Sequence, residues 1–140
     1  MTAQLQFMVK KILILVVVLG VVAGIFVAMQ LNKPHQKVED AKSVVIAAVE
    51  LGKQYNADEK GSDAKYLNKA IEVSGTISEV DKNQDGGVMV VLKTDDPASG
   101  IQCSMREKNI AAQKDQQVTI KGFCSGNSIT GVSLTDCVIK

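Results

Sequence analysis

The sequence predicts an α+β protein, mainly β: an N-terminal transmembrane helix, then one or two helices packed on a small five-stranded Greek-key barrel. Three observations predict it. Residues Ile12 to Leu31 form an apolar run without a charge. After it, apolar residues recur every three or four positions. From Ile71 onward they recur every second position, and short turn segments divide the runs.

The apolar run reads ILILVVVLGVVAGIFVAMQL. Twenty residues at about 1.5 Å each cover about 30 Å, the hydrocarbon thickness of a bilayer. A core helix of a soluble protein keeps a polar stripe, and here Gln30 is the one strongly polar side chain. A cleaved leader has an apolar region of about 7–15 residues and ends in a small-x-small site. This run is longer and IFVAMQL offers no such site. No cysteine near its end would take a lipid.

The run therefore reads as an uncleaved transmembrane helix over 12–31, in contact with membrane lipid, behind a short cytoplasmic tail at 1–11. Lys10 and Lys11 flank one side and Lys33 and Lys37 the other, so flanking charge sets no decisive orientation. A short tail with two lysines against the span fits an anchor whose N-terminus is inside. That sets residues 38–140 outside the cytoplasm, periplasmic or at the cell surface. Residues 32–37, with Pro34 and His35, read as a linker that stops the helix.

The part from Val38 onward is long enough for one domain. It carries 12 lysines and arginines against all 15 acidic residues, a formal charge of −3 in a chain of +1. In VEDAKSVVIAAVELGKQYN, Ala41, Val44, Val45, Ala48, Leu51 and Tyr55 keep helical spacing. Asn56 and Glu59 could form a capping box that Gly61 interrupts, so a second helix near Ser62 to Leu67 is short. Strands follow at IEVSGTISEV, GVMVVLKT and IQCSM, then a short helical piece at NIAAQK, then strands at QVTIKGFC and TGVSLTDCVIK. Turns are expected at Asp85–Gly87, Asp95–Gly100 and Ser125–Ser128.

Five strands with a helix between the third and fourth is the order of the OB-fold. Gly75 and Gly122 would let strands bend at barrel corners. The segments DAKYLNKAIEVSGTISEV, IQCSM, VTIKGFCSG and VSLTDCVI resemble the tRNA_anti-like OB-fold domains of small membrane- or lipid-anchored bacterial envelope proteins. The resemblance runs from Ala41 to Ile139. It implies an OB-fold with an undefined biochemical role, and no tRNA substrate, since the family name records likeness to anticodon-binding domains.

Single-strand binders on this fold combine a positive groove with rings on which bases stack. This domain is acidic and lacks Trp, and Tyr55 and Tyr66 precede the barrel. Lys93, Gln102, Ser104 and Arg106 form the candidate ligand face on the second and third strands. With only two cations there, the main affinity term for phosphates is missing, which argues against nucleic acid. Asp81, Asn83, Asp85 and Gly86 match the start of a calcium loop, but Leu92 stands where a bidentate Glu is required. A polar hairpin turn is expected there, with calcium the alternative and no other cofactor. His35, the sole histidine, lies in the linker, so neither a zinc site nor a Cys–His pair is expected in the domain, and no enzyme activity.

In an oxidising compartment, disulfides persist. Cys124 and Cys137 on the last two strands are the expected bridge, with a bulge turning Cys137 inward and Cys103 left as a core thiol. A Cys103–Cys137 bridge is the alternative, because the third and fifth strands meet where such a barrel closes. Three reduced core thiols are the third possibility. The sequence thus describes a single-pass, extracytoplasmic OB-fold module that binds an unknown protein or small ligand without catalysis. A structural spacer in an envelope assembly, or an oligonucleotide- or oligosaccharide-binding domain, is the alternative. A large exposed apolar patch on the second and third strands would mark a partner surface, and a polar one a spacer.

Overall fold

The computed structural model describes residues 2–31 and 37–140; the expected linker, with Lys33, Pro34 and His35, falls almost entirely outside them. Helix α1 spans Thr2–Leu31, so it begins ten residues ahead of the expected span and makes the expected tail helical. Within it Ala3–Leu31 is long and apolar enough to cross a bilayer, and its side chains are exposed in the chain itself. With no polar stripe, this helix has no face that favours protein over lipid. It and the rest of the chain are separate units.

The second unit contains β1 (Ser43–Ala47), α2 (Ala48–Ala57), α3 (Glu59–Tyr66), β2 (Ala70–Lys82), β3 (Val88–Lys93), β4 (Gly100–Met105), β5 (Gln117–Ser128) and β6 (Gly131–Ile139). The sheet order is β1-β2-β3-β4-β6-β5, and β2 also pairs with β5. Strands β2 to β6 therefore close into a five-stranded barrel, with β4 and β6 parallel and every other barrel pairing antiparallel. The long β2 serves two neighbours: Ala70–Thr76 pair with β5, and Ile77–Lys82 pair with β3 beyond a register shift. Inward residues Ile71, Val73, Ile77, Val90, Leu92, Ile101, Ile120 and Leu134 are fully buried and fill the barrel.

The helix expected from Ala41 is shorter at its start. Ser43–Ala47 is a strand parallel to β2, with Ser43 opposite Ala70 and Ala47 opposite Ser74. Three β-branched residues in a row, Val44 to Ile46, fit a pleated strand better than a helix. Val44 and Val45 are consequently exposed, at 46% and 69%, and are not on a buried helical face. Helix α2 does bury Ala48, Leu51 and Tyr55, as their spacing predicts. Gly75 allows this contact rather than a bend, because a Cβ there would lie 2.8 Å from the Ala48 methyl. Helix α3 is capped by Asp58, whose carboxylate accepts from the Gly61 N–H at 3.0 Å; the Asn56–Glu59 box does not form.

Two further expectations change. The segment Asn109–Lys114 is irregular, not helical. So short a helix has little stability of its own, and Ile110 and Ala112 pack against the core at two-residue spacing. Ser125–Ser128 continues β5, and the hairpin turn falls at Ile129–Thr130, leaving Ile129 101% exposed at the tip. Gly131, at φ 118°, follows the turn, and Gly126, at φ 109°, sits at the bulge within β5.

A small second core lies outside the barrel. Val38 and Ala41 pack with Ala70, Phe123 and Val138, so the segment from Lys37 to Lys42 straps across β2, β5 and β6. The Lys121 ammonium, on β5 beneath the strap, donates to the carbonyls of Glu39 at 3.0 Å and Ala41 at 2.7 Å.

Candidate functional site on the outer face of the barrel

Strands β3 and β4 carry Lys93, Gln102 and Ser104, with Lys93 at one end of the ladder; Arg106 follows β4 past its other end and reaches to Asp136 and Glu39. Val91 stands opposite Gln102, Met89 opposite Ser104, and Lys93 opposite Gly100. Period-two alternation points Met89, Val91 and Lys93 away from Val90 and Leu92, which are buried. Gln102 continues the face onto β6 beside Ser133.

Both cations of this face are already engaged. Lys93 Nζ lies 2.6 Å from Asp115 Oδ1, and this pairing holds the Asp115 carboxyl below its ordinary pKa. Arg106 donates from Nε to Asp136 Oδ1 at 2.7 Å and from Nη2 to Asp136 Oδ2 at 2.6 Å. Its remaining Nη1 donates to Glu39 in the strap. The planar guanidinium fork suits such bidentate pairing. Glu39 is held below its usual pKa by its own backbone amide first; burial opposes this, and Arg106 adds to the lowering. On the strap's far side, Lys140 and then Ser43 lower Glu72 in the same way. These carboxylates were missed in the sequence, because Asp115, Asp136 and Glu39 lie 22, 30 and 67 residues from their partners.

No aromatic ring of the barrel unit is presented for stacking. Tyr55 and Tyr66 are buried under α2 and α3 with ring centroids 6.3 Å apart, and Phe123 packs beneath the strap. The Tyr55 hydroxyl donates to Asp63 at 3.1 Å and lies 3.3 Å from Cys124 Sγ. Burial, followed by the Cys124 contact, raises its pKa.

The calcium-loop residues sit where β2 turns into β3. The Asn83 N–H donates to Gly87 O and the Gly86 N–H to Asn83 O, which makes an ordinary hydrogen-bonded hairpin turn. Lys108 places its ammonium 3.3 Å from the Asp85 carbonyl. Among the described residues no three His, Cys, Asp or Glu side chains are grouped to hold a metal.

The cysteines are arranged differently from the expected bridge. All three are buried free thiols. Cys137 does turn inward past a bulge, with Asp136 at φ 53°. Yet Cys124 is level with Leu134 and faces Tyr55, while Cys137 is level with Met105. The expected Cys124–Cys137 bridge is therefore absent.

The tRNA_anti-like profile matches residues 1–138. The chain belongs to the tRNA_anti-like family. Among solved structures, this tRNA_anti-like chain is similar to a candidate nucleic acid-binding lipoprotein from Klebsiella pneumoniae. The two share 16% identity over 77% of this chain and 99% of the other, with a TM-score of 0.56. A candidate aspartyl-tRNA synthetase from Leishmania major matches at 12% identity over 77% of this chain and 22% of its own, with a TM-score of 0.44. Asparaginyl-tRNA synthetase from Entamoeba histolytica matches at 13% over 71% and 23%, with a TM-score of 0.41. No curated protein matches the sequence. The Klebsiella likeness shows the OB-fold in this tRNA_anti-like chain.

Proposed function

We propose that this protein is a membrane-anchored, non-enzymatic contact module. In this reading α1 holds the OB-fold barrel at a membrane outside the cytoplasm, and the barrel engages a protein or small ligand rather than a polynucleotide. The observation that carries the reading is that Lys93 and Arg106, the cations of the β3–β4 face, are held by carboxylates of the same domain. Counterion release from phosphates requires cations free to replace those counterions. The Klebsiella protein's name supports a binding role for the fold, but the acidic, ring-poor barrel here argues against the same ligand.

The anchor is supported by α1 itself, of which Ala3–Leu31 is long and apolar enough to cross a bilayer. In this reading the span is 12–31, where charge is absent, and the short N-terminal tail lies inside. Washing native membranes with carbonate tests this: the protein is expected to stay with the membrane, and protease added outside is expected to digest the barrel. Release by carbonate, or digestion only from the cytoplasmic side, would contradict it.

The spacer is a second reading with its own observation. The exposed large apolar residues of the barrel unit, Val44, Val45, Leu67, Ile129 and Ile139, all lie off the β3–β4 face. A photo-crosslinker at Gln102 separates the two readings. One discrete adduct in native membranes supports the module, and no adduct there supports the spacer.

A further inference from the structure

We propose that the barrel end formed by β4, β5 and β6 is a binding site for a small organic cation, an amine carried on a compact apolar body. The site is apart from the β3–β4 face, so it stands or falls separately from the contact role above. Strands β4 and β6 finish there, β5 begins there, and the irregular 107–112 segment crosses between them. A pocket of about 320 Å³ opens between that segment and the strands. This is roughly ten times the share of one water in the liquid, and it falls in the range of small-molecule sites. The local sequence explains the space. Ile110 and Ala112 seat on the core at two-residue spacing, so no helix plugs the barrel end. Ala111 and Ala112 bring only methyl groups to the wall, and Met105, Ile110, Val118 and Ile139 bring larger apolar side chains. Val118 is buried, and Ile139 is 39% exposed.

Charge sets the class of ligand. Glu107, Asn109 and Gln116 are the polar members of the lining, and Glu107 is its one charged side chain. The cations on either side of it in sequence are turned elsewhere. Arg106 pairs with Asp136 and Glu39, and Lys108 Nζ lies 3.3 Å from the Asp85 carbonyl. Among the described residues the Glu107 carboxylate has no hydrogen-bond or ion-pair partner. An ammonium brought to Glu107 supplies the missing counter-charge. The apolar body then displaces water that methyl-lined walls hold poorly, which gains affinity. An anion of the same shape meets repulsion from Glu107. A bare metal ion needs several oxygen ligands, and this pocket offers one carboxylate.

The test uses full-length protein in lipid nanodiscs, so that no detergent competes for the apolar wall. Three probes share one ring and differ in charge: benzylamine, benzyl alcohol and benzoate. Methyl NMR signals of Met105, Ile110 and Ile139 read the pocket, and that of Ile129, at the far hairpin tip, is the control. Benzylamine should shift the three pocket signals saturably, in the millimolar range or tighter, and should bind more tightly than the alcohol, with benzoate weakest. Glu107→Gln should weaken benzylamine about threefold to tenfold and leave the alcohol unchanged. Ala112→Leu should fill the pocket and weaken both. If that variant fails to fold, Glu107→Lys, at an exposed position, should exclude the amine while the alcohol still binds. No saturable shift with benzylamine in folded wild-type protein overturns the site. Equal affinities for the three probes, or no effect of Glu107→Gln on the amine, overturns the class of ligand.

Discussion

The Arg106 guanidinium holds the Asp136 carboxylate through two hydrogen bonds, at 2.7 and 2.6 Å, joining the end of β4 to the bulge in β6. Its third arm reaches Glu39, so one side chain ties the parallel seam to the strap. Arg106→Gln should therefore loosen the strap more than the barrel. Exposed ion pairs contribute little to global stability, so the urea midpoint should fall only slightly while trypsin cuts faster at Lys42. A large midpoint loss with unchanged cutting would contradict this division.

Acid should act through the same carboxylates. Glu39, Glu72 and Asp115 all have pKa values lowered in the folded protein. A depressed folded value means that the stabilisation is complete above the unfolded value, about 4, and is lost as pH falls through the folded one. Urea midpoints should thus be insensitive to these groups from about pH 5 to 7 and decline below about pH 4. Glu39→Gln should make that acid decline shallower. A variant curve that runs parallel to the wild type at every pH would remove Glu39 from the account.

Lys121 is a buried cation whose partners are two strap carbonyls. Lys121→Met keeps the packing of the stem but leaves those carbonyls without a donor. Such a loss costs about 1–3 kcal/mol. Hydrogen exchange over residues 37–42 should quicken in step with the lower urea midpoint. An unchanged midpoint and unchanged exchange would mean that water replaces the ammonium without penalty.

Gly122→Ala should be destabilising, by about 1–3 kcal/mol for an overpacked core. The added methyl would meet Cys137 Sγ, Thr135 O and the Leu134 Cβ. In a Cys137→Ala background the same substitution should cost less, because the nearest atom is gone. Equal costs in both backgrounds, read from urea melts, would show that the backbone contact with Thr135 decides.

Much of this fold could be read from the order of the residues. Ala48, Leu51 and Tyr55 lie on one face of a helix, and the period-two runs from Ile71 became barrel strands. Val44 and Val45 also fit helical spacing, and what made them a strand was pairing with Ile71 and Glu72, a contact local periodicity cannot report. At Asn109–Lys114 the composition suits a helix, but seating Ile110 and Ala112 on the core decided otherwise. The face residues Lys93, Gln102, Ser104 and Arg106 were legible by type and alternation. Their electrostatic state was not, because Asp115, Asp136 and Glu39 arrive from distant strands and the strap. The outcome for the cysteines turned on one extra residue in β6 between Leu134 and Cys137, which turns Cys137 inward three residues beyond the level of Cys124.

Fluorescence anisotropy of a labelled single-stranded oligonucleotide, titrated with the full-length protein in detergent at low and at high salt, tests the central claim most directly. With Lys93 and Arg106 held by carboxylates and no ring offered for stacking, wild-type protein should give no salt-sensitive binding in the micromolar range. The triple variant Glu39→Gln, Asp115→Asn, Asp136→Asn frees both cations and should bind measurably more at low salt. Micromolar wild-type binding that weakens steeply with salt would contradict the account and make the barrel a nucleic-acid-binding domain.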